Sequence, residues 1–174
     1  MTDLRAEILA ENSREHSDMI TAWIGHSASR FQQLVTLFLE DEYRVVQRAA
    51  WIISLVAAKH PGLLPPHLPA MVARMEEEGL PVAVKRNVLR ILQHLTIPES
   101  LHGPVMNCCF AFLEAPEETI AVKAFSMTVL SNLAKEYPEI KNEIRLLIED
   151  QLENNPTPGI RSRAAKVLKA IGKS

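Results

Sequence analysis

The sequence predicts an all-α protein in which pairs of helices follow one another as an α-solenoid. An apolar pattern with helical spacing occurs four times at nearly constant distances, and a second helical pattern precedes each occurrence. Proline, which is destructive in the interior of a helix, falls between these patterns at every position but Pro69 in the folded region from Ser27 onward. Together these observations predict helices alone, and no segment is predicted to be a strand.

The first pattern places apolar or small residues at positions i, i+4, i+7 and i+8. Its four copies are Val45…Ala49…Ile52-Ile53, Val84…Val88…Ile91-Leu92, Val122…Ser126…Val129-Leu130 and Ile160…Ala164…Val167-Leu168. These offsets put the four side chains on one stripe of an α-helix. The copies begin 39, 38 and 38 residues apart, so the helix that carries them recurs at a regular interval.

The second pattern lies upstream of each copy and is also helical. It reads Phe31-Leu34-Val35-Phe38, Leu68-Met71-Val72-Met75, Val105-Cys108-Cys109-Phe112 and Ile144-Leu147-Ile148. These stretches begin 37, 37 and 39 residues apart, and the last one has Gln151 where an apolar residue is expected, so that Leu152 must substitute. Two helical stripes with a common period in the upper thirties are typical of solenoids built from helix pairs.

In three of the four copies a basic residue follows the first aliphatic one: Val84-Lys85, Val122-Lys123 and Ile160-Arg161. The first copy has Val46 there, with Arg44 or Arg48 as a stand-in. On these residues the chain resembles the HEAT/armadillo-like repeats over roughly residues 27 to 172. The resemblance implies a right-handed α-α superhelix of about four HEAT-like helix pairs. It specifies a fold rather than a function, because one fold serves many unrelated roles.

The N-terminal region does not align with the repeats. Residues 1 to 25 are expected to form an atypical helical cap, with a short helix over residues 3 to 10 and a second helix capped by Asn12 and Glu15. Terminal units of solenoids differ from interior ones because one of their faces has no neighbour. Residues 26 to 174 then hold the repeats, and the chain is expected to be a single domain overall.

The first helix of each pair, the A helix, carries the second pattern, and the B helix carries the first. The A helices are predicted at about 28–40, 66–78, 104–114 and 138–153, and the B helices at about 42–59, 81–95, 117–135 and 158–172. Pro69 is expected in a first helical turn, where proline is tolerated. Glu117 and Glu118 are expected in a first turn as well, where the helix dipole favours acids.

The side chains of the repeated stripe predict the core. We expect burial between successive pairs for Val45, Ile52, Val88, Ile91, Val122, Val129, Ala164, Val167 and Leu168. Cys108 and Cys109 lie on an apolar stripe, and a vicinal disulfide would be strained, so both are expected to be reduced core residues. Reduced cysteines and an N-terminus without the apolar segment of a signal peptide favour a cytoplasmic location.

Composition limits the classes of function. With 174 residues, 47% of them hydrophobic and 23% charged, the chain is long and apolar enough for a folded domain, and its net charge of −2 gives no general attraction to nucleic acid or membrane. The six histidines show no spacing that would build a metal site and are expected to be exposed. No catalytic, cofactor-binding or metal-binding residues are predicted.

The charge distribution is the strongest functional signal. The B segments 42–60, 81–97, 117–137 and 157–174 sum to +9, and the rest of the chain sums to −11. The resemblance implies that B helices line a concave surface, which gathers their basic residues on one side. The candidate partner-binding residues are Arg44, Arg48, Lys85, Arg86, Arg90, Lys123, Arg161 and Lys166, with Arg163 and Lys169 on the same side.

Two interpretations of this basic surface remain open. It is either a binding site for an acidic peptide, a phosphate backbone or an anionic cofactor, or a part of the repeat architecture in which the basic residues pair with acids of the neighbouring unit. In the second case the functional surface is expected on the acidic side of the A helices, around Glu76, Glu77 and Glu78.

The expected function is that of a non-enzymatic, macromolecule-binding scaffold or adaptor whose helical-repeat groove binds another protein or peptide, with no membrane partner. The alternative is a nucleic-acid-binding or DNA-repair-like HEAT protein with a basic concave face. Trp51, Asp41 and Arg48 resemble the tryptophan, acid and basic residues of HEAT-like alkylation-repair glycosylases, although the adjacent B helix supplies no second tryptophan.

Overall fold

The computed structural model describes residues 1–172, and every regular element within that range is helical. Its α-helices are α1 (Leu4–Ala10), α2 (Arg14–Ile24), α3 (Ala28–Glu40), α4 (Tyr43–Lys59), α5 (Leu68–Met75), α6 (Val82–Leu92), α7 (His102–Glu114), α8 (Ile120–Leu133), α9 (Lys141–Asn154) and α10 (Pro158–Ile171). Short 3-10 turns occupy Pro61–Leu63, Pro65–His67, Glu99–Leu101 and Pro138–Ile140. The A helices are α3, α5, α7 and α9, and the B helices are α4, α6, α8 and α10. The all-α prediction is therefore confirmed.

Some predicted helix ends were wrong, and local chemistry explains them. α5 stops at Met75, so the three glutamates that follow lie outside it, and the positive φ of Gly79 (69°) turns the chain. Ending before the glutamates avoids acids in a last turn, where the helix dipole opposes them. Pro69 lies in the first turn of α5, as predicted.

Side-chain caps fix the starts of several helices. α8 begins at Ile120 because the Thr119 hydroxyl accepts a hydrogen bond from the Val122 amide (3.4 Å). Glu117 and Glu118 thus precede the cap, and the prediction that they form a first turn was wrong. The N-cap of α2 is Ser13 rather than Asn12, since the Ser13 hydroxyl accepts from the His16 amide (3.1 Å).

The contacts divide the chain into two compact units, Met1–Asn87 and Val88–Ser174, with the boundary inside α6. The single-domain prediction stays a prediction. In the first unit α4 packs against α1, α2 and α3. Its core contains Phe31 and Phe38 of α3, Val45 and Ile53 of α4, and Ile8 of α1, all fully buried. The apolar stripe of α4 is thus covered by the helices that precede it in sequence.

In the second unit α8 is the central helix and packs against α7, α9 and α10, while α9 also contacts α10. Most of its side chains are buried as a result. Gly159 allows the start of α10 to approach α8 closely, because a Cβ at this position would lie only 3.2 Å from Ile120 Cγ2. Within residues 1–172, no helix is long and apolar enough to cross a membrane.

The predicted core is largely confirmed. The buried members are Val45, Ile52, Val88, Val122, Val129, Ala164 and Val167. Ile91 and Leu168 are only partly buried. Cys108 and Cys109 are buried and form no disulfide, and burial raises the pKa of the Cys109 thiol, which makes it a poor nucleophile.

Candidate partner-binding surfaces on the B helices

The observed helix bounds make the charge segregation sharper than the sequence segments suggested. The four B helices hold eleven of the 19 lysines and arginines and none of the 21 acidic residues. The eleven are Arg44, Arg48, Lys59, Lys85, Arg86, Arg90, Lys123, Arg161, Arg163, Lys166 and Lys169. Any carboxylate that neutralises a B-helix cation must therefore come from another element or another molecule.

The candidate residues of the first unit differ in their exposure. Arg44 is exposed, and Lys85 and Arg86 are partly exposed. Arg48 is also only partly exposed, because its Nη1 donates to the carbonyl oxygens of Ile8 (2.9 Å) and Leu9 (3.1 Å) near the end of α1. A cation at the negative end of a helix dipole is favourable, so Arg48 has a structural role in joining α4 to α1.

The second unit places one candidate in its interior. Lys123 is only 2% exposed, and its Nζ donates to Gln151 Oε1 (3.0 Å), whose Nε2 donates to the Leu113 carbonyl (3.0 Å). α7, α9 and α10 surround α8, so a partner cannot reach this ammonium, and its assignment to the binding surface is corrected. Gln151, which seemed to break the apolar pattern of α9, is the acceptor that Lys123 requires. The exposed candidates of this unit are Arg90, Arg161 and Lys166.

Arg163 forms the most extensive side-chain network of the second unit that the structure describes. Its Nη1 donates to Thr128 Oγ1 (2.7 Å) and Gln93 Oε1 (2.9 Å), with a longer contact to the Ala124 carbonyl (3.4 Å). Its guanidinium carbon lies 5.6 Å from the centre of the Phe125 ring. Burial lowers the pKa of Arg163. All three acceptors are neutral, so they fix the guanidinium in place without cancelling its charge.

Gln93, Thr128 and Asn132 were not among the predicted site residues. Equivalent positions in the four copies of the repeat nevertheless show a pattern that indicates this network. Asn132 Nδ2 donates to the Gln93 carbonyl (3.1 Å), and this hydrogen bond links α8 to the segment that follows α6. The third residue after the first aliphatic of each copy is Arg48, Asn87, Phe125 and Arg163. Asn87 donates to Gln47 Oε1 (3.3 Å) on the preceding B helix. In three copies this position therefore binds an element earlier in the chain.

The glycosylase-like residues are engaged in other contacts. Asp41 accepts two hydrogen bonds from Arg5, Nε to Oδ2 (2.8 Å) and Nη2 to Oδ1 (3.0 Å). The hydrogen bonds from Arg5 hold the pKa of Asp41 below its usual value. Because Asp41 is an ionised, paired carboxylate and Arg48 is held at the end of α1, this pair gives no support to a catalytic role beside Trp51.

The expectation of exposed histidines was wrong for His102. Its ring is buried between the Tyr137 hydroxyl (2.9 Å from Nδ1) and the Ile97 carbonyl (2.7 Å from Nε2). Both ring nitrogens thus have a hydrogen-bonding partner, and the Glu136 carboxylate lies 3.5 Å from Nδ1, so this histidine joins α7 to the segment after α8. In the part of the chain that the structure describes, no three His, Cys, Asp or Glu side chains cluster as a metal site requires.

Helix pairs recur in this chain at a nearly constant interval, and hydrogen bonds join α6 to α4 and α10 to α8. These features define a helical-repeat protein. The model of the HEAT repeat domain matches residues 4–171, nearly the whole chain, and the chain therefore belongs to the HEAT repeat family. Proteins of this family form α-solenoids and are commonly scaffolds for protein interactions. The match includes α1 and α2, which the two apolar patterns had left outside the repeats. No curated protein and no solved structure matches the chain.

Proposed function

We propose that this protein is a non-enzymatic scaffold that binds an acidic segment of another protein on the surfaces of its B helices. The observation that carries the proposal is the absence of every acidic residue from the four B helices, which hold more than half of the lysines and arginines. Like charges gathered on one set of helices attract a partner of opposite charge and orient it during the encounter.

The contacts of the less exposed cations support this proposal. Arg48, Lys123 and Arg163 donate to carbonyl, amide and hydroxyl oxygens, and none of their described partners is a carboxylate. In these three cases the repeat holds its basic residue without neutralising it. The positive charge therefore contributes to the potential of the B-helix surface, where a partner's carboxylates would balance it.

The overall charge of each unit favours a protein partner over a nucleic acid. Residues 88–174 contain ten basic and ten acidic residues, and residues 1–87 contain nine basic and eleven acidic ones. Nucleic-acid binding depends mainly on the number of phosphates that a protein neutralises. A unit with no net positive charge is better suited to a peptide whose carboxylates are few and locally placed.

Binding of a labelled oligoglutamate peptide, followed by fluorescence anisotropy at low salt, tests the proposal. The double variant Arg161→Glu/Lys166→Glu reverses two exposed cations of α10 and is expected to weaken binding by at least about tenfold. The matched control is Lys135→Glu/Arg145→Glu, which changes the net charge equally in the same unit but outside the B helices. If both double variants lose the same amount of affinity for oligoglutamate, net charge alone explains the binding and the proposal is overturned.

Binding measured at a series of salt concentrations distinguishes the protein scaffold from the nucleic-acid-binding alternative. Duplex DNA and duplex RNA are titrated alongside the peptide between about 50 and 200 mM salt, a range over which a protein that contacts many phosphates loses orders of magnitude in affinity. We expect weak duplex binding that disappears by the upper end of this range. Tight duplex binding without peptide binding would replace the protein scaffold with a nucleic-acid-binding function.

A further inference from the structure

The guanidinium of Arg163 has one edge that the protein does not use. All of its hydrogen bonds to described residues are made by Nη1, so Nε and Nη2 have no acceptor among residues 1–172. Within the described residues, no buried side-chain nitrogen or oxygen of this kind lacks a hydrogen-bond partner. It follows that Nε and Nη2 are not fully enclosed, which agrees with the partial exposure of Arg163.

The first unit shows what such an edge binds. Arg5 presents the same two atoms, Nε and Nη2, and both oxygens of Asp41 accept from them at 2.8 and 3.0 Å. Two parallel hydrogen bonds between a guanidinium and a carboxylate are stronger and more specific in direction than a single charged contact. Arg163 carries the same pair of donors, and no carboxylate of the described residues binds them.

The neighbours of Arg163 fix the position of its guanidinium before any ligand binds. Nη1 is fixed by acceptors on two different segments, Thr128 of α8 and Gln93 after α6, and Phe125 lies beside the guanidinium. A side chain that is already ordered loses less conformational entropy when it binds. α8 and α10 contribute no competing carboxylate, and the exposed Lys166 lies one helical turn along α10.

We propose that Arg163 is the anchor of the binding surface and receives the carboxylate of an aspartate or glutamate of the partner protein on its Nε–Nη2 edge. This inference rests on the proposed scaffold function and names one of its contact residues. The exposed cations Arg161 and Lys166 then attract the partner, whereas Arg163 fixes its position. A phosphate would fit the same edge, but the equal numbers of basic and acidic residues in this unit favour a single carboxylate over a phosphate chain.

Nuclear magnetic resonance of the arginine Nε–H groups tests the anchor in the unmodified protein. The Arg163 signal is assigned in the unmodified protein by through-bond correlation to the backbone of the same residue, and the protein is titrated with oligoglutamate and, as a control, with oligoglutamine. We expect oligoglutamate to shift the Arg163 signal strongly and the exposed Arg161 signal weakly, with no shift from oligoglutamine. If oligoglutamate binds without moving the Arg163 signal, the anchor is wrong and the scaffold function stands.

Two conservative variants give an independent measurement. Arg163→Lys and Arg145→Lys both keep the positive charge, but lysine cannot offer two parallel donors. Arg145 lies on α9, outside the B helices, so we expect Arg163→Lys to weaken oligoglutamate binding by about ten- to a hundredfold and Arg145→Lys to leave it nearly unchanged. Equal affinities for both variants would overturn the anchor. Circular dichroism checks that Arg163→Lys is folded, and the titration of the unmodified protein decides if it is not.

The outcomes distinguish the two proposals. Peptide binding that is lost in Arg161→Glu/Lys166→Glu but retained in Arg163→Lys contradicts the anchor alone. Failure of oligoglutamate to bind the unmodified protein contradicts the scaffold proposal and the anchor with it. Inorganic phosphate or a phosphopeptide that shifts the Arg163 signal at lower concentration than oligoglutamate does would overturn the assignment to a carboxylate.

Discussion

α8 and α10 occupy the same place in the repeat but have opposite environments. Lys123 and Arg161 each follow the first aliphatic residue of their helix, yet Lys123 is 2% exposed and Arg161 is exposed. α8 packs against α7, α9 and α10, whereas α10 packs chiefly against α8 and α9. The repeat thus specifies a basic residue at this position, and the number of packed neighbours decides whether its charge is structural or available to a partner.

Two other pairs of equivalent positions in α8 and α10 differ in exposure in the same way. Met127 of α8 is fully buried, and its counterpart in α10 is the exposed Ala165. Ser131 is 7% exposed, and its counterpart is the exposed Lys169. A helix side that is exposed to water is expected to carry short or charged residues. The sequence of α10 is adapted to water on the side where α8 meets another helix.

The largest effect is expected from removing α10. Deletion of residues 158–174 exposes Ile144 and Ile148 of α9 and one side of α8, all of which are buried in the intact unit. Each large aliphatic side chain that returns to water costs about 1.5–3 kcal/mol, so the total approaches the stability of a typical domain. Thermal unfolding followed by circular dichroism should show a much lower Tm. An unchanged Tm would mean that α10 does not contribute to the core.

Charge reversal at the two equivalent basic positions tests the comparison directly. Lys123→Glu places a carboxylate in the interior without a cationic partner and is expected to lower the free energy of unfolding by about 3–5 kcal/mol. Arg161→Glu alters an exposed residue and should change it by no more than about 0.5 kcal/mol. Urea denaturation measures both values. Similar values for the two variants would contradict the different environments of α8 and α10.

Removal of the acceptor of Lys123 should have a smaller effect. Gln151→Leu leaves a buried ammonium without its described hydrogen bond, which is expected to cost about 2–3 kcal/mol. The double variant Lys123→Met/Gln151→Leu removes both polar groups and should recover part of that loss. A double-mutant cycle by urea denaturation gives the coupling energy. A coupling near zero would show that the two side chains do not stabilise each other.

The smallest effect on stability is expected from changing Asp41, whose carboxylate accepts the two hydrogen bonds of Arg5. The pKa of Asp41 is lowered in the folded state, so its contribution to stability is present above the unfolded pKa of about 3.9 and is lost as the pH falls through the folded pKa. Asp41→Asn should therefore lower the Tm slightly at neutral pH and have no effect in strong acid. The loss caused by Gln151→Leu should be similar at pH 7 and pH 4, because Gln151 does not titrate.

Periodicity alone was sufficient to predict the fold. The offsets of the aliphatic residues depend only on the geometry of an α-helix, and the core residues found from them, such as Val88 and Val129, are buried in the structure. Helix ends were harder, because competition among caps decides them. Ser13 and Thr119 displace the predicted starts of their helices by one and three residues.

The candidate site could be predicted only in part, because a basic residue on a helix does not reveal how many helices will cover it. Lys123 and Arg161 look equivalent in sequence and differ fully in exposure. The network around Arg163 depends on Gln93, which is 70 positions away along the chain. No local pattern indicates such a contact, although the recurrence of polar side chains at that register position could have suggested it.

The absence of acids from the B helices also determines how the chain can be cut. A protease specific for glutamate finds sites at Glu42, Glu78, Glu118 and Glu153, each close before a B helix, and none within one. Digestion of the denatured chain at its glutamates therefore releases every B helix whole, in the fragments 43–76, 79–99, 119–136 and 154–174. A partner cross-linked to a B-helix lysine would be carried by one of these four fragments, and its mass alone would assign the contact to a repeat.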